Sequence, residues 1–193
     1  MMTATRRSDT KSEILDIAER YWLRQGYNGF SYQHIAQDLG VKSAAIHYHF
    51  PAKGDLGVAL VERMRRRFVR WAERTDAEIV GFWPRFDAFV AIYEAYLDDG
   101  KKLCPSGILD AEYHTIPEGM QEAAHGLTTA ILRWLTRALR AGREAGEVSF
   151  NGEPEGAAIV VGATLQGAVQ IARSLGRDAF HTTVEHLKKL LHP

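Results

Sequence analysis

The sequence predicts an all-α protein. Apolar residues recur three and four apart in one segment after another, Gly and Pro punctuate those segments, and Ser31–Phe50 reads as two short helices joined by a tight turn. At 193 residues and 46% hydrophobic content the chain can bury a sizeable core, in one or two domains.

The first helix follows Arg6 and Arg7, with Thr10-Lys11-Ser12-Glu13 in capping-box form, an apolar stripe of Ile14, Ala18, Tyr21 and Trp22, and Gly26 as its end. Phe30 and Ser31 open the second, which carries Ile35, Ala36 and Leu39 before Gly40 supplies a left-handed stop. Ser43 then caps a short third helix. If its Ile46 and Phe50 point inward, Ser43, Ala44, His47 and Tyr48 share the outer side, small residues first and hydrogen-bonding ones after. That pattern suits a helix lying in a major groove, and equally a hairpin that only builds core. Ala52 to Asp55 open a long helix through Val58, Val61, Phe68 and Trp71 to about Val80. Its Arg63, Arg67 and Arg70 share a face that is ordinarily just solvated.

Gly81 and Pro84 interrupt the chain where composition turns acidic, dividing it into a head of residues 1–72, with 31–50 as its core motif, and a body of residues 73–193. Residues 1–74 hold 13 Lys/Arg against 8 Asp/Glu and the remainder 11 against 16, so a formal net charge of zero conceals a basic head. The next helix carries Phe82, Phe86, Phe89, Tyr93 and Tyr96. Such a stripe is more often core than cofactor box, although two tyrosines offer polar ends to a cavity. After a turn at residues 98–102, Pro105 opens a short helix, and Glu118 opens a long one with Leu127, Ile131, Trp134, Leu135 and Leu139. The helix after Pro154 is rich in small residues, among them Gly162, Ala163 and Gly167, which lets a neighbour approach closely. A final helix from Arg177 to Leu190 stripes Phe180, Val184, Leu187 and Leu190.

His114 and His125 have no carboxylate at ligating spacing, and His47 and His49 diverge on a helix, so no metal or cofactor is expected. Neither a Gly-rich phosphate loop nor a nucleophile elbow is present, which argues against an enzyme. One cysteine, no signal-peptide core and no window resembling a membrane span predict a cytoplasmic protein.

The run from Gly40 to Leu56, Gly-Val-Lys-Ser-Ala-Ala-Ile-His-Tyr-His-Phe-Pro-Ala-Lys-Gly-Asp-Leu, resembles the signature of the tetracycline-repressor (TetR) family of bacterial transcription regulators. The resemblance implies an N-terminal three-helix helix-turn-helix domain, a C-terminal ligand-binding and dimerisation domain, and a homodimer, by default a repressor. Its partners would be a palindromic double-stranded DNA operator and a small-molecule effector. It places Lys42, Ser43, Ala44, Ala45, His47 and Tyr48 on the bases and Ser31 and Lys53 on phosphates. Ala44 stands where the family commonly has Gly, and His47 where it commonly has Tyr. The last two helices would form a four-helix bundle across a two-fold axis, through Gly162, Ala163, Gly167, Val184 and Leu187. Effector contacts fall to Tyr93, Tyr96, Cys104, Tyr113, His114, His125, Trp134 and Gln166. The segment Leu103–Glu112, with Gly-Arg-Glu at 142–144 and Gly-Glu-Pro at 152–154, resembles the electrophile-responsive branch, in which a cysteine at this place does the sensing. A cap position beside Pro105, with Lys101 and Lys102 near, predicts a Cys104 thiolate. The competing reading is a helical small-molecule binding protein whose N-terminal hairpin is structural.

Overall fold

Glycine's access to positive φ sets the first two stops in the chain. Gly26 (φ +78°) and Gly40 (φ +69°) turn the backbone left-handed, and past Gly40 the Val41 N–H reaches back 3.0 Å to the Ala36 carbonyl. In the computed structural model, which describes residues 3–98 and 104–193 and, of these, the side chains of 10–97 and 104–193, the described residues form nine helices and no strand. They are α1 (Thr3–Gln25), α2 (Tyr32–Leu39), α3 (Ser43–His49), α4 (Lys53–Glu78), α5 (Phe82–Asp98), α6 (Pro105–Ala111), α7 (Glu118–Glu144), α8 (Pro154–Leu175) and α9 (Arg177–Leu191).

Three sequence expectations shift at helix ends. α1 begins at Thr3, so Thr10 and Glu13 lie inside it and form no capping box. Lys42 takes the cap position of α3, leaving Ser43 as its first residue, and the buried stripe of α9 ends on Leu191 rather than Leu190, which is exposed.

Two apolar cores are stacked along the molecule. The first joins Ile14, Trp22, Ile35, Ile46, Phe50 and Leu60 of α1 to α4 with Ile108, Leu109, Met120 and Leu127 of α6 and α7. The second joins Phe82, Phe86 and Phe89 of α5 to Trp134, Leu165, Phe180 and Leu187 of α7 to α9. Packing therefore does not respect a cut at residue 72. α4, 26 residues and about 39 Å long, runs past it, and the head's core is completed by α6 and α7. Phe68, Tyr96 and Ile131 touch both cores and mark the seam. Arg63 pairs with Asp16 and Glu19 and Arg67 with Glu19, so these arginines tie α4 to α1.

α8 overturns the expectation that no segment resembles a membrane span. It is the one helix among the described residues long and apolar enough, at mean hydropathy 1.3. The reason is two-sided: Ala158, Val161, Leu165 and Val169 face the core while Ile159, Val160, Ile171 and Leu175 face outward.

Candidate functional site

α3 is presented as its stripe requires. Ile46 and Phe50 are buried, Lys42, Ala44, His47 and Tyr48 exposed, and Ser43 and Ala45 half-buried. The Tyr32 hydroxyl donates to the Phe50 carbonyl (2.8 Å) and pins the end of α3; burial pushes that phenol up to about 12. The Tyr32 ring meets the His47 imidazole edge-on at 4.7 Å, and His47 Nδ1 lies 3.2 Å from the Pro51 carbonyl. A carbonyl only accepts, so Nδ1 carries the proton in this contact. Ser31 caps α2, its N–H donating to His34 Nδ1 at 3.2 Å.

The head is gripped from the body. Glu112, closing α6, accepts the N–H groups of Tyr27 (2.7 Å) and Asn28 (3.1 Å) and the Asn28 side-chain amide (3.2 Å), which also donates to Thr115 Oγ1 at 2.9 Å. Gly26 admits this approach, since a Cβ there would stand 2.8 Å from Glu112 Oε1. Lys53, expected on phosphate, is held in the same knot. Its Nζ donates to the Tyr27 carbonyl at 2.6 Å and sits over the rings of Tyr27 (4.3 Å) and Phe30 (4.6 Å). Burial lowers its pKa, opposed by Glu112.

At the seam lies a cavity of about 250 Å³. α4 contributes Met64, Phe68 and Trp71, α5 Phe89, Tyr93 and Tyr96, the start of α6 Ser106 with its cap Cys104, and α7 Leu127 and Ile131; the paired Glu19 and Arg67 also line it. The structure brings only Tyr93, Tyr96 and Cys104 of the eight expected effector residues to it. Trp134 stands behind the wall, 4.9 Å from Trp71, its Nε1 donating to Asp76 (3.0 Å). Gln166 lines a separate groove between α6 and α8 and donates to Asp110 at 2.9 Å. Tyr113, His114 and His125 are exposed, because the α6–α7 turn and the first turns of α7 lie outside the seam. Phe68 and Trp71 were legible as apolar α4 residues but carried no polar mark of a site.

Cys104 does cap α6, yet it is 2% exposed, with Sγ 3.1 Å from Ser106 Oγ. Burial pushes the thiol up, outweighing hydrogen bonds from Ser106 and the Gly107 N–H, and nearby Asp110 adds to the rise. The expected thiolate is thereby corrected to a thiol; Lys101 and Lys102 lie outside the described residues. Raised pKa means less nucleophile at neutral pH, so alkylation by iodoacetamide should climb about tenfold per pH unit and not level off by the ordinary thiol value of about 8.5. A plateau below that value would restore the thiolate.

The outer face of α8 runs Gly156, Val160, Ala163, Gly167 and Ile171, spaced four and three apart, and nothing stands within 4 Å of a Cβ built at Gly156 or Gly167. Of the expected dimer residues, Ala163 and Gly167 belong to this face. Gly162, Val184 and Leu187 do not: a Cβ built at Gly162 would stand 3.7 and 3.8 Å from Leu132 and Leu135, and the other two are buried in the second core.

Residues 14–60 match the family model for bacterial regulatory proteins, tetR family, and residues 83–187 match that for the tetracyclin repressor-like C-terminal domain. The chain is similar to the HTH-type transcriptional repressor NemR of Escherichia coli K12, with 26% identity over 195 residues, 95% of this chain and 94% of NemR. Its fold superposes on a TetR-family transcriptional regulator from Agrobacterium tumefaciens with a TM-score of 0.92 at 26% identity, over 97% of this chain and 100% of that one. It superposes on the reduced form of E. coli NemR with a TM-score of 0.82 at 24% identity, over 96% and 98% of the two chains. The C-terminal match alone takes in more than half of the chain, and the N-terminal match takes in the whole of α2 and α3. The chain belongs to the TetR family of bacterial regulatory proteins.

Proposed function

We propose that the protein is a cytoplasmic repressor that binds a palindromic operator as a homodimer and leaves it when a small molecule fills the seam cavity. One observation carries the coupling. α6, whose start lines the cavity at Cys104 and Ser106, ends at Glu112, which holds the α1–α2 turn of the reading head. A ligand that spreads the cavity displaces the helix that sets the head's angle, so it needs only to bind one arrangement of the dimer better than the other. Similarity to NemR, named as a repressor, supports repression.

In this reading the first residues of α3 and His47 meet base edges, and phosphates meet the basic head. The Lys53 ammonium gives one of its three N–H groups to Tyr27, and both the others and its backbone N–H at the first position of α4 are available to a phosphate. As the uncharged Nδ1–H tautomer, His47 would offer Nε2 as an acceptor, which matches a donor such as the amino group of cytosine or adenine.

The test is a gel shift against the chain's own upstream DNA across salt concentrations. Specific, salt-sensitive binding is expected, and His47→Ala should cost about 1–3 kcal/mol at one symmetric pair of operator positions while leaving non-specific affinity alone. Binding that is absent, or blind to sequence, returns the chain to a small-molecule binding protein with a structural hairpin.

A further inference from the structure

The seam cavity's polar groups are unevenly satisfied. Cys104 and Ser106 pair with each other, and Glu19 accepts from both Arg63 (3.1 Å) and Arg67 (2.7 Å). Among the described residues, nothing pairs with the hydroxyls of Tyr93 and Tyr96. Among the described residues the one fully buried side-chain polar atom without a partner is Trp22 Nε1, so both phenol oxygens keep accessible surface, and both residues line the cavity. Tyr93 is itself 5% exposed. A hydroxyl so placed has no competing partner among the described residues, and the cost of leaving it unpaired is relieved by a ligand atom.

From this geometry we infer that the cavity takes a small, uncharged aromatic or alicyclic molecule bearing a carbonyl or similar acceptor oxygen, which accepts hydrogen bonds from Tyr93 and Tyr96 while its ring packs against Phe68, Trp71 and Phe89. The inference rests on the cavity being the effector site. Size supports one or two rings, since about 250 Å³ falls below the ~300–1,000 Å³ usual for drug-sized ligands. Charge supports neutrality. Asp16 and Glu19 together balance Arg63 and Arg67, so this cluster carries no net charge to draw either a cation or an anion. The aromatic residues also pack on one another, Phe68–Trp71 at 5.5 Å and Trp71–Phe89 at 6.0 Å, as a wall rather than a cage around a cation. Burial raises both phenols, so they stay donors at any working pH. Recognition is reversible, and the thiol of Cys104 takes no covalent part.

The experiment is calorimetric titration of the full chain with acetophenone, ethylbenzene, benzoate and choline. Acetophenone should bind about tenfold tighter than ethylbenzene, which has the same ring and length without the oxygen. Tyr93→Phe and Tyr96→Phe should each shrink that ratio about threefold with ethylbenzene affinity unchanged. Equal affinities for acetophenone and ethylbenzene, preference for choline or benzoate, or a ratio indifferent to both tyrosine variants would each overturn the ligand class. Operator binding without ligand is measured on the same protein. If it is intact while the acetophenone preference is absent, the ligand class alone fails; if it is lost as well, the regulator reading fails with it.

Discussion

Replacing Ala163 by glutamate will leave a folded monomer that no longer binds its operator. Ala163 lies at the middle of the outward stripe from Gly156 to Ile171 on α8, exposed in the single chain and flanked by Val160 and Gly167. In the proposed homodimer, small residues there would let a second α8 approach closely, and a two-fold axis would bring each substitution to bear on the interface twice. An unpaired carboxylate in such a contact costs several kcal/mol after relaxation. A single head contacts one half-site, and loss of the linked second half lowers affinity by about 10²–10⁴. Glutamate is a good helix former at an exposed position, so the thermal midpoint of the monomer should stay within about 2 °C of a wild-type monomer's. Sedimentation decides it: a dimer that persists for Ala163→Glu places the interface elsewhere. The neighbouring Gly162→Glu is the contrast, because its side chain would be driven into Leu132 and Leu135 and the chain should not fold.

That contrast shows where the sequence stopped being readable. Helices were legible because their stripes are one-sided and their stops chemical: Gly26 and Gly40 end α1 and α2, Pro105 opens α6, and Phe82, Phe86 and Phe89 lie buried. α8 is apolar on two sides, so residues 162 and 163 look alike in sequence although one faces the core and the other solvent. The α3 face was legible for the opposite reason, since Ile46 and Phe50 leave only one way to orient it. Lys53 and Glu112 were not, because each is a charged residue whose partners, Tyr27 and Asn28, arrive from a turn distant in sequence. Cys104 misled through a local argument. Its cap position was right, but the dipole of a seven-residue helix and two backbone donors do not outweigh burial between α4, α5 and α7. Tyr93 and Tyr96 were flagged as polar ends on an apolar stripe, and that mark is what the cavity retains.

Glu112→Ala should separate binding of the effector from response to it. Its carboxylate accepts two backbone N–H groups and one side-chain amide of the α1–α2 turn, and no other described hydrogen bond reaches the N–H groups of Tyr27 and Asn28. Truncation leaves those donors to water, costs about 1–3 kcal/mol of stability, and frees the head from α6. Amide exchange at residues 27 and 28 should speed up, and operator affinity should fall about tenfold, because an unanchored head spends less time at the angle its partner requires. The cavity is lined by Phe68, Trp71, Tyr93 and Tyr96, and the Glu112 side chain bonds instead to Tyr27 and Asn28, so acetophenone affinity should be unchanged. The deciding quantity is the ratio of operator affinities without and with saturating ligand. If α6 carries the signal through Glu112, that ratio collapses toward one in the variant. A variant that loses stability yet releases DNA as the wild type does would send the coupling instead through α4, whose 26 unbroken residues connect Phe68 and Trp71 to the end of α3.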